Sequence, residues 1–199
     1  MNGWLKKGRV MRRYDLTAEM YDMRYAEEQA AKIRAGLKHV KIEKDERVLD
    51  VGCGTGILFN YFLDKRNLIV GLDISKKTLL QAKQHIREKK IVNVHLVQAD
   101  ADNMPFGGNA FSKVFAITVL QNSPDPTKTL TEIKRVGIGN AVFVVSGLKS
   151  IFRKPAFIRM LRTTHLKTVA FEENDLKCYV AVCTDADADK QPYYGEAEW

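Results

Sequence analysis

Between Arg47 and Gly56 the chain reads Arg-Val-Leu-Asp-Val-Gly-Cys-Gly-Thr-Gly, an apolar run that ends abruptly in three alternating glycines. Val48, Leu49 and Val51 suit a buried parallel strand. Gly52, Gly54 and Gly56 let the backbone turn tightly and approach a ligand with no side chain in the way. A second apolar run (Leu68, Ile69, Val70, Leu72) delivers Asp73 to its end, just before Ile74 and Ser75. A carboxylate there can accept hydrogen bonds from both hydroxyls of a ribose, and capping of a helix that starts near Ser75 is the competing use. Together the two signals describe a nucleotide-like cofactor site.

The glycine spacing separates two cofactor classes. A dinucleotide site usually carries G-x-G-x-x-G, whereas here Gly52, Gly54 and Gly56 alternate, so the third glycine arrives one residue early. Asp50 stands before the loop, where it can receive an ammonium directly or through water. That pattern suits a cofactor with an amino-acid end rather than a pyrophosphate.

These residues resemble the class I S-adenosylmethionine-dependent methyltransferases, and the resemblance runs from about residue 14 to residue 147. It implies that Gly52, Cys53, Gly54 and Gly56, with Asp50, contact the methionine part and that Asp73, beside Ile74, holds the ribose. The family's D-A-E-x-L-P-F-like segment is similar to Asp100-Ala-Asp-Asn-Met-Pro-Phe106. Asp100 would then accept from the adenine amino group, with Ala101 and Met104 flanking the ring. Asp102 and Asn103 also suit an ordinary turn. Cys53 reads as a small packing residue of the loop, with nothing nearby to activate a thiolate. Ser112 replaces the aspartate of the family's F-D-x-V strand. Gln121 and Asn122 stand where many small-molecule members carry paired histidines, so an imidazole base is not expected there. Their amides could orient an acceptor, and Tyr14 and Tyr21 are further pocket candidates, since Tyr21-Asp22 is similar to the family's Y-D element.

Periodicity predicts helices over 17–38, 57–65, 75–89, 127–136 and 151–164, interleaved with strands near 47–51, 68–72, 94–98, 113–118 and 141–145. Thr168–Phe171 and Lys177–Cys183 are joined by a short turn-like link, which makes them an antiparallel hairpin. The expected fold is a three-layer α/β/α sandwich, Rossmann-like, with a seven-stranded, mostly parallel sheet whose last strand is antiparallel. A chain of 199 residues that is 45% hydrophobic supports one core, so residues 1–199 are read as a single domain. Residues 1–40 would form an N-terminal arm and helix over the cofactor, and 185–199 a flexible tail.

No apolar run approaches the ~20 residues that cross a bilayer, so no membrane insertion and a cytoplasmic location are expected. Three cysteines without C-x-x-C spacing and four scattered histidines suggest neither a disulfide framework nor a metal site. The net charge of +8 is uneven. Lys149, Arg153, Lys154, Arg159, Arg162 and Lys167 fall in a stretch without acids, and Lys6, Lys7, Arg9, Arg12 and Arg13 lie beside Trp4 and Tyr14. Such surfaces attract phosphate and offer aromatic stacking, which makes RNA the leading acceptor. The competing reading is that these cations solvate the outer face of the 151–164 helix.

A quinone-like or lipid-like small molecule is the alternative acceptor and predicts a deep apolar pocket beneath the N-terminal helix. A protein acceptor, a non-catalytic cofactor-binding subunit of an RNA-modifying complex and dependence on a small activator subunit also stay open. No catalytic base is identified, because the [DNS]-P-P-[YFW] pattern of amino-nitrogen methylation is absent and Ser123-Pro-Asp-Pro126 is only superficially similar. S-adenosylhomocysteine would be the product.

Overall fold

The computed structural model describes residues 3–62 and 66–188, with residues 13–25 described through their backbone alone. Seven strands form one sheet: β1 (Arg47–Val51), β2 (Leu68–Asp73), β3 (Val94–Gln98), β4 (Phe111–Ala116), β5 (Gly137–Leu148), β6 (Leu166–Glu172) and β7 (Cys178–Asp185). Their order is β3-β2-β1-β4-β5-β7-β6. The first five are parallel, and β7 runs antiparallel to both β5 and β6. The helices are α1 (Gly3–Leu37), α2 (Lys76–Glu88), α3 (Pro126–Val136) and α4 (Lys154–Thr163), with a 3₁₀ segment over Ile57–Phe62. The expected Rossmann-like sandwich with its antiparallel last strand is the observed fold.

Two elements differ from the sequence expectation. The first helix begins at Gly3, so the basic arm is its opening turns. The segment expected as an α-helix over 57–65 is 3₁₀ as far as Phe62, and residues 63–65 lie outside the described residues. The tightness has a local cause. Gly56 sits at φ 87°, Phe59 donates to the Gly56 carbonyl at 3.0 Å, and the Phe59 ring lies against the glycine, where a Cβ would stand 2.5 Å from it.

The alternation of strand side chains assigns each row of the sheet to one face. Val70, Leu49, Val114, Phe143 and Cys183 pair in series across β2, β1, β4, β5 and β7 and share a core with Leu130 and Ile133 of α3 and Phe157 and Leu161 of α4. The next row, Gly71, Asp50, Phe115, Val144 and Val182, faces the other way. Its apolar members share a core with Ile33 of α1, Phe59 and Phe62 of the 3₁₀ segment, and Leu79 and Ala82 of α2. Asp50 is thus an acid in an otherwise apolar row.

From β1 the chain builds outward to β2 and β3, then crosses back so that β4 lies on the other side of β1. That reversal opens a crevice at the carboxyl ends of β1 and β4, where open α/β sheets take ligands. Gly71 explains how the crevice floor can be so close to the layer beneath it. A Cβ there would meet Phe59 Cζ at 2.7 Å and Cys53 Sγ at 2.9 Å. Gly71→Ala is therefore expected to destabilise the protein by about 1–3 kcal/mol through overpacking, seen as a lower urea midpoint with an unchanged slope.

Candidate active site

The turn after β1 is built by backbone hydrogen bonds to β2. Gly52 and Cys53 both donate to the Leu72 carbonyl, at 2.7 and 2.9 Å. Gly52, Gly54 and Gly56 all have positive φ, at 69°, 54° and 87°. A Cβ on Gly52 would strike Val119 at 2.6 Å, whereas one on Gly54 would project into open space. Gly54 therefore presents bare backbone to the crevice, the cradle that a ligand approaching the main chain requires.

Asp73 ties this turn to the next helix. Its Oδ2 accepts from the Gly54 N–H at 2.9 Å and its Oδ1 from the Ser75 N–H at 2.8 Å. Ser75 itself caps α2, accepting from the Thr78 N–H at 3.2 Å, so the cap does not consume Asp73. Each carboxylate oxygen can accept more than one hydrogen bond, which leaves Asp73 able to take ribose hydroxyls from the crevice it lines. Burial pushes the Asp73 carboxyl up, and the N–H donors of Ser75 and Gly54 work against that shift.

Asp50 is 5% exposed and also lines the crevice. Among the described residues no cation stands within ion-pair distance of it. Burial, and then the charge of Asp73, drive its carboxyl well above the usual carboxylate range. An ammonium arriving there would relieve both effects. The same burial and the two nearby carboxylates raise the Cys53 thiol well above its ordinary value, which removes any thiolate role.

The third wall follows β3. Ala99 donates to the Asp73 carbonyl at 3.0 Å, and Asp100 closes an Asx turn by accepting from the Asp102 N–H at 3.0 Å. Glu132 of α3 accepts from the Met104 N–H at 2.8 Å, and Arg135 bonds the carbonyls of Met104 and Phe106. Asp102 is 4% exposed and accepts from Ser123 and Thr129. The opening turns of α1 close over this wall. Lys7 Nζ lies 2.5 Å from Asp100 and 2.6 Å from Asp102, and Lys6 donates to the Ser123 carbonyl at 2.6 Å. Burial alone would lower the Lys7 ammonium, but the two carboxylates hold it above its ordinary value.

The resulting cleft encloses about 1160 Å³, open mouth included. Asp50, Gly52, Cys53, Gly54, Asp73, Ile74, Asp100, Ala101 and Asn122 all line it. Gly56 shapes the turn from behind. Met104, expected beside an adenine, is buried in the core shared with α3 and does not line the cleft, and its N–H donates to Glu132. Gln121 does not reach the cleft, and its Oε1 is buried with no hydrogen-bond partner among the described residues. The side chains of Tyr14 and Tyr21 lie outside the described residues. Lys7, Val10, Gln29, Ile33 and Thr118 line the cleft without having been singled out in the sequence. None of the basic residues between 149 and 167 is part of its wall. Among the described residues no group of His, Cys, Asp or Glu could hold a metal ion, and no helix is long and apolar enough to cross a membrane.

A glycine turn, a strand-end acid and a buried acid, gathered at one switch point of a seven-stranded sheet, accord with the class I S-adenosylmethionine-dependent methyltransferases. The particular family is the one described as Methyltransferase domain, which matches residues 42–193, and the chain belongs to it. The demethylmenaquinone methyltransferase of Geobacillus sp. (strain WCH70) is 34% identical over 103 residues, which are 50% of this chain and 44% of that protein. The match thus spans less than half of that relative. A SAM-dependent methyltransferase from Aquifex aeolicus superimposes with a TM-score of 0.74 at 16% identity, over 85% of this chain and 97% of that one. The Haloferax volcanii complex between the Trm112 methyltransferase activator and a methyltransferase gives 0.71 at 15% identity, over 86% and 97%. S-adenosylmethionine is the cofactor of the family.

The raised carboxyl of Asp50 carries a stability cost with a defined sign. A folded pKa above the unfolded one stabilises the fold at low pH, and that contribution is lost as pH rises from the unfolded value through the folded one. Asp50→Asn should therefore raise the Tm of the ligand-free protein at neutral pH, by roughly 2–4 °C per kcal/mol relieved. The gain should shrink on acidification, measured by calorimetry across a pH series.

Proposed function

We propose that this chain transfers the methyl group of S-adenosylmethionine to a small acceptor with a largely apolar body that enters beneath α1. The observation that carries this reading is the composition of the cleft wall. Beside its acids the wall includes Val10 and Ile33 of α1, Ile57 and Leu58, and Ile117 and Val119. Relatives named demethylmenaquinone methyltransferase support a quinone-like acceptor.

When bound, the cofactor supplies an electrophilic methyl group on a sulfonium, so alignment and exclusion of water matter more than a strong base. Asp50 would hold the ammonium, Asp73 the ribose, and Asp100 with the Ala101 backbone the adenine, around the turn of Gly52, Cys53, Gly54 and Gly56. α1 covers the mouth, with Lys7 as its clasp. Asn122 donates to the Thr118 carbonyl at 2.9 Å and stiffens the acceptor wall. No side chain is assigned as a base.

RNA is the second reading, favoured by the exposed Lys149, Arg153, Arg159, Arg162 and Lys167. Part of that charge is already engaged, since Lys149 donates to the Glu173 carbonyl at 2.6 Å and Lys154 pairs with the Glu173 carboxylate. In the N-terminal arm Lys6 and Lys7 turn inward. A small activator subunit, as in the complex named for Haloferax volcanii, would be a further requirement to test by addition.

The deciding experiment supplies S-adenosylmethionine with a labelled methyl group to cell extract and separates small molecules, RNA and protein. Label is expected in the organic-soluble fraction. Asp73→Ala should weaken S-adenosylhomocysteine binding by at least about 100-fold, because it removes charge-assisted hydrogen bonds of about 1.5–3 kcal/mol each, and should abolish the label. Label released by ribonuclease would replace the small acceptor with RNA. Cofactor binding without label in any fraction would favour a non-catalytic subunit.

A further inference from the structure

The carboxyl edge of the sheet, where the cleft opens, also gathers apolar side chains that the core does not use. β5 runs parallel to β4, so the chain leaves β5 on that edge at Lys149. The N–H groups of Ile151 and Phe152 both donate to the Leu148 carbonyl, at 3.0 and 2.9 Å. This tight turn sends two apolar neighbours in different directions. Phe152 packs against Phe157, with ring centroids 5.9 Å apart, while Ile151 stays 60% exposed between the exposed Lys149 and Arg153.

The opening turns of α1 bring two more to the same edge. A Cβ on Gly3 would stand 3.7 Å from Pro124, and Lys6 donates to the Ser123 carbonyl at 2.6 Å, both in the link that leaves β4 there. Trp4 is 68% and Leu5 59% exposed. Trp4 lines a shallow depression with Pro105, Pro124 and Lys128, and that depression shares Lys7, Asp100 and Pro124 with the cleft. Among the described residues the other exposed large apolar side chains are scattered. Leu68 and Val92 lie at the opposite edge, Leu80 on α2 and Val169 on β6.

Aliphatic side chains such as Leu5 and Ile151 gain nothing from a phosphate or a base edge, but they gain on entering an acyl layer. Trp4 joins an apolar ring to an N–H, the combination suited to a membrane–water interface. Cations accompany all three. Lys128, Lys149 and Arg153 are exposed on this edge, and the bond of Lys149 to a carbonyl leaves its charge in place. Of the nearby acids, Asp100 and Asp102 are paired with Lys7 and Glu173 with Lys154, Asp125 caps α3, and Asp175 is exposed. The whole chain carries a formal charge of +8, which draws it toward an anionic surface.

We propose that this edge docks on an anionic lipid bilayer, with Trp4, Leu5 and Ile151 entering the interfacial layer and Lys128, Lys149 and Arg153 meeting lipid phosphates. This rests on the small-acceptor reading given above and deepens it. The mouth beneath α1 faces the bilayer, so an apolar acceptor passes from lipid to the wall of Val10, Ile33 and Ile117 without crossing bulk water. Attachment is peripheral, since no described helix is long and apolar enough to cross a membrane.

The test sediments the intact protein with vesicles of phosphatidylcholine alone and of equal parts phosphatidylcholine and phosphatidylglycerol. The protein should bind the anionic vesicles at least about tenfold more tightly than the neutral ones, and added salt should weaken that binding. Leu5→Ser combined with Ile151→Ser, neither in the cleft wall, should weaken it by at least about tenfold while S-adenosylhomocysteine affinity stays unchanged. In a Trp199→Phe background, Trp4 emission should move to the blue when anionic vesicles are added. Protein that stays in the supernatant, or pellets equally with and without the two serine substitutions, would overturn the docking edge, and methyl label still reaching organic-soluble material would leave the small-acceptor reading standing. RNA that displaces the protein from vesicles, together with label released by ribonuclease, would overturn both.

Discussion

One carboxylate holds the functional end of this fold together. Asp73 takes the N–H of Gly54 on one oxygen and the N–H of Ser75 on the other, joining the glycine turn of β1 to the start of α2. The Gly52 and Cys53 N–H groups already fix the turn to β2 through the Leu72 carbonyl, and the Asp73 bridge adds the hold on the Gly54 backbone. The same oxygens retain acceptor capacity toward the cleft. The interaction that shapes the cradle is thus also one that can recognise a ligand.

Around this bridge the cleft gathers acids that the fold pays for in stability. Asp50 stands in a row whose other members are Gly71, Phe115, Val144 and Val182, and burial and the charge of Asp73 raise its carboxyl. Asp100 and Asp102 have a cation of their own in Lys7. One end of the cleft is therefore acidic, with α1 supplying a cation through Lys7. The β4 end is different in kind, with apolar side chains in front and Lys32 behind.

Strand positions and the glycine turn and acids that meet at the cleft were legible in the sequence because they depend on local pattern. The apolar runs at 47–51 and 68–72, the glycine alternation and the acid after β2 each carry their meaning within a few residues. The hairpin of β6 and β7 was legible for the same reason, since a short link between two strands permits little else. The α1 side of the cleft was not legible. Glu28 and Lys32 look like an ordinary i,i+4 surface pair, and only the register of α1 against β4 and β7 buries the lysine. Lys7 sits in a basic run that suggests nucleic acid, and only the path of α1 across the cleft turns it toward Asp100. Met104 shows the converse, a residue whose local motif suggests ligand contact while packing against residues far along the chain places it in the core.

A crystal structure of the protein with S-adenosylhomocysteine tests whether the Asp73 bridge and the Gly54 cradle form the cofactor site. Both ribose hydroxyls are expected within hydrogen-bond distance of the Asp73 carboxylate, with the amino end of the ligand at Asp50 and Gly54 still in its positive-φ conformation. A ligand bound elsewhere, or one seated in the cleft with its ribose turned away from Asp73, would contradict that assignment.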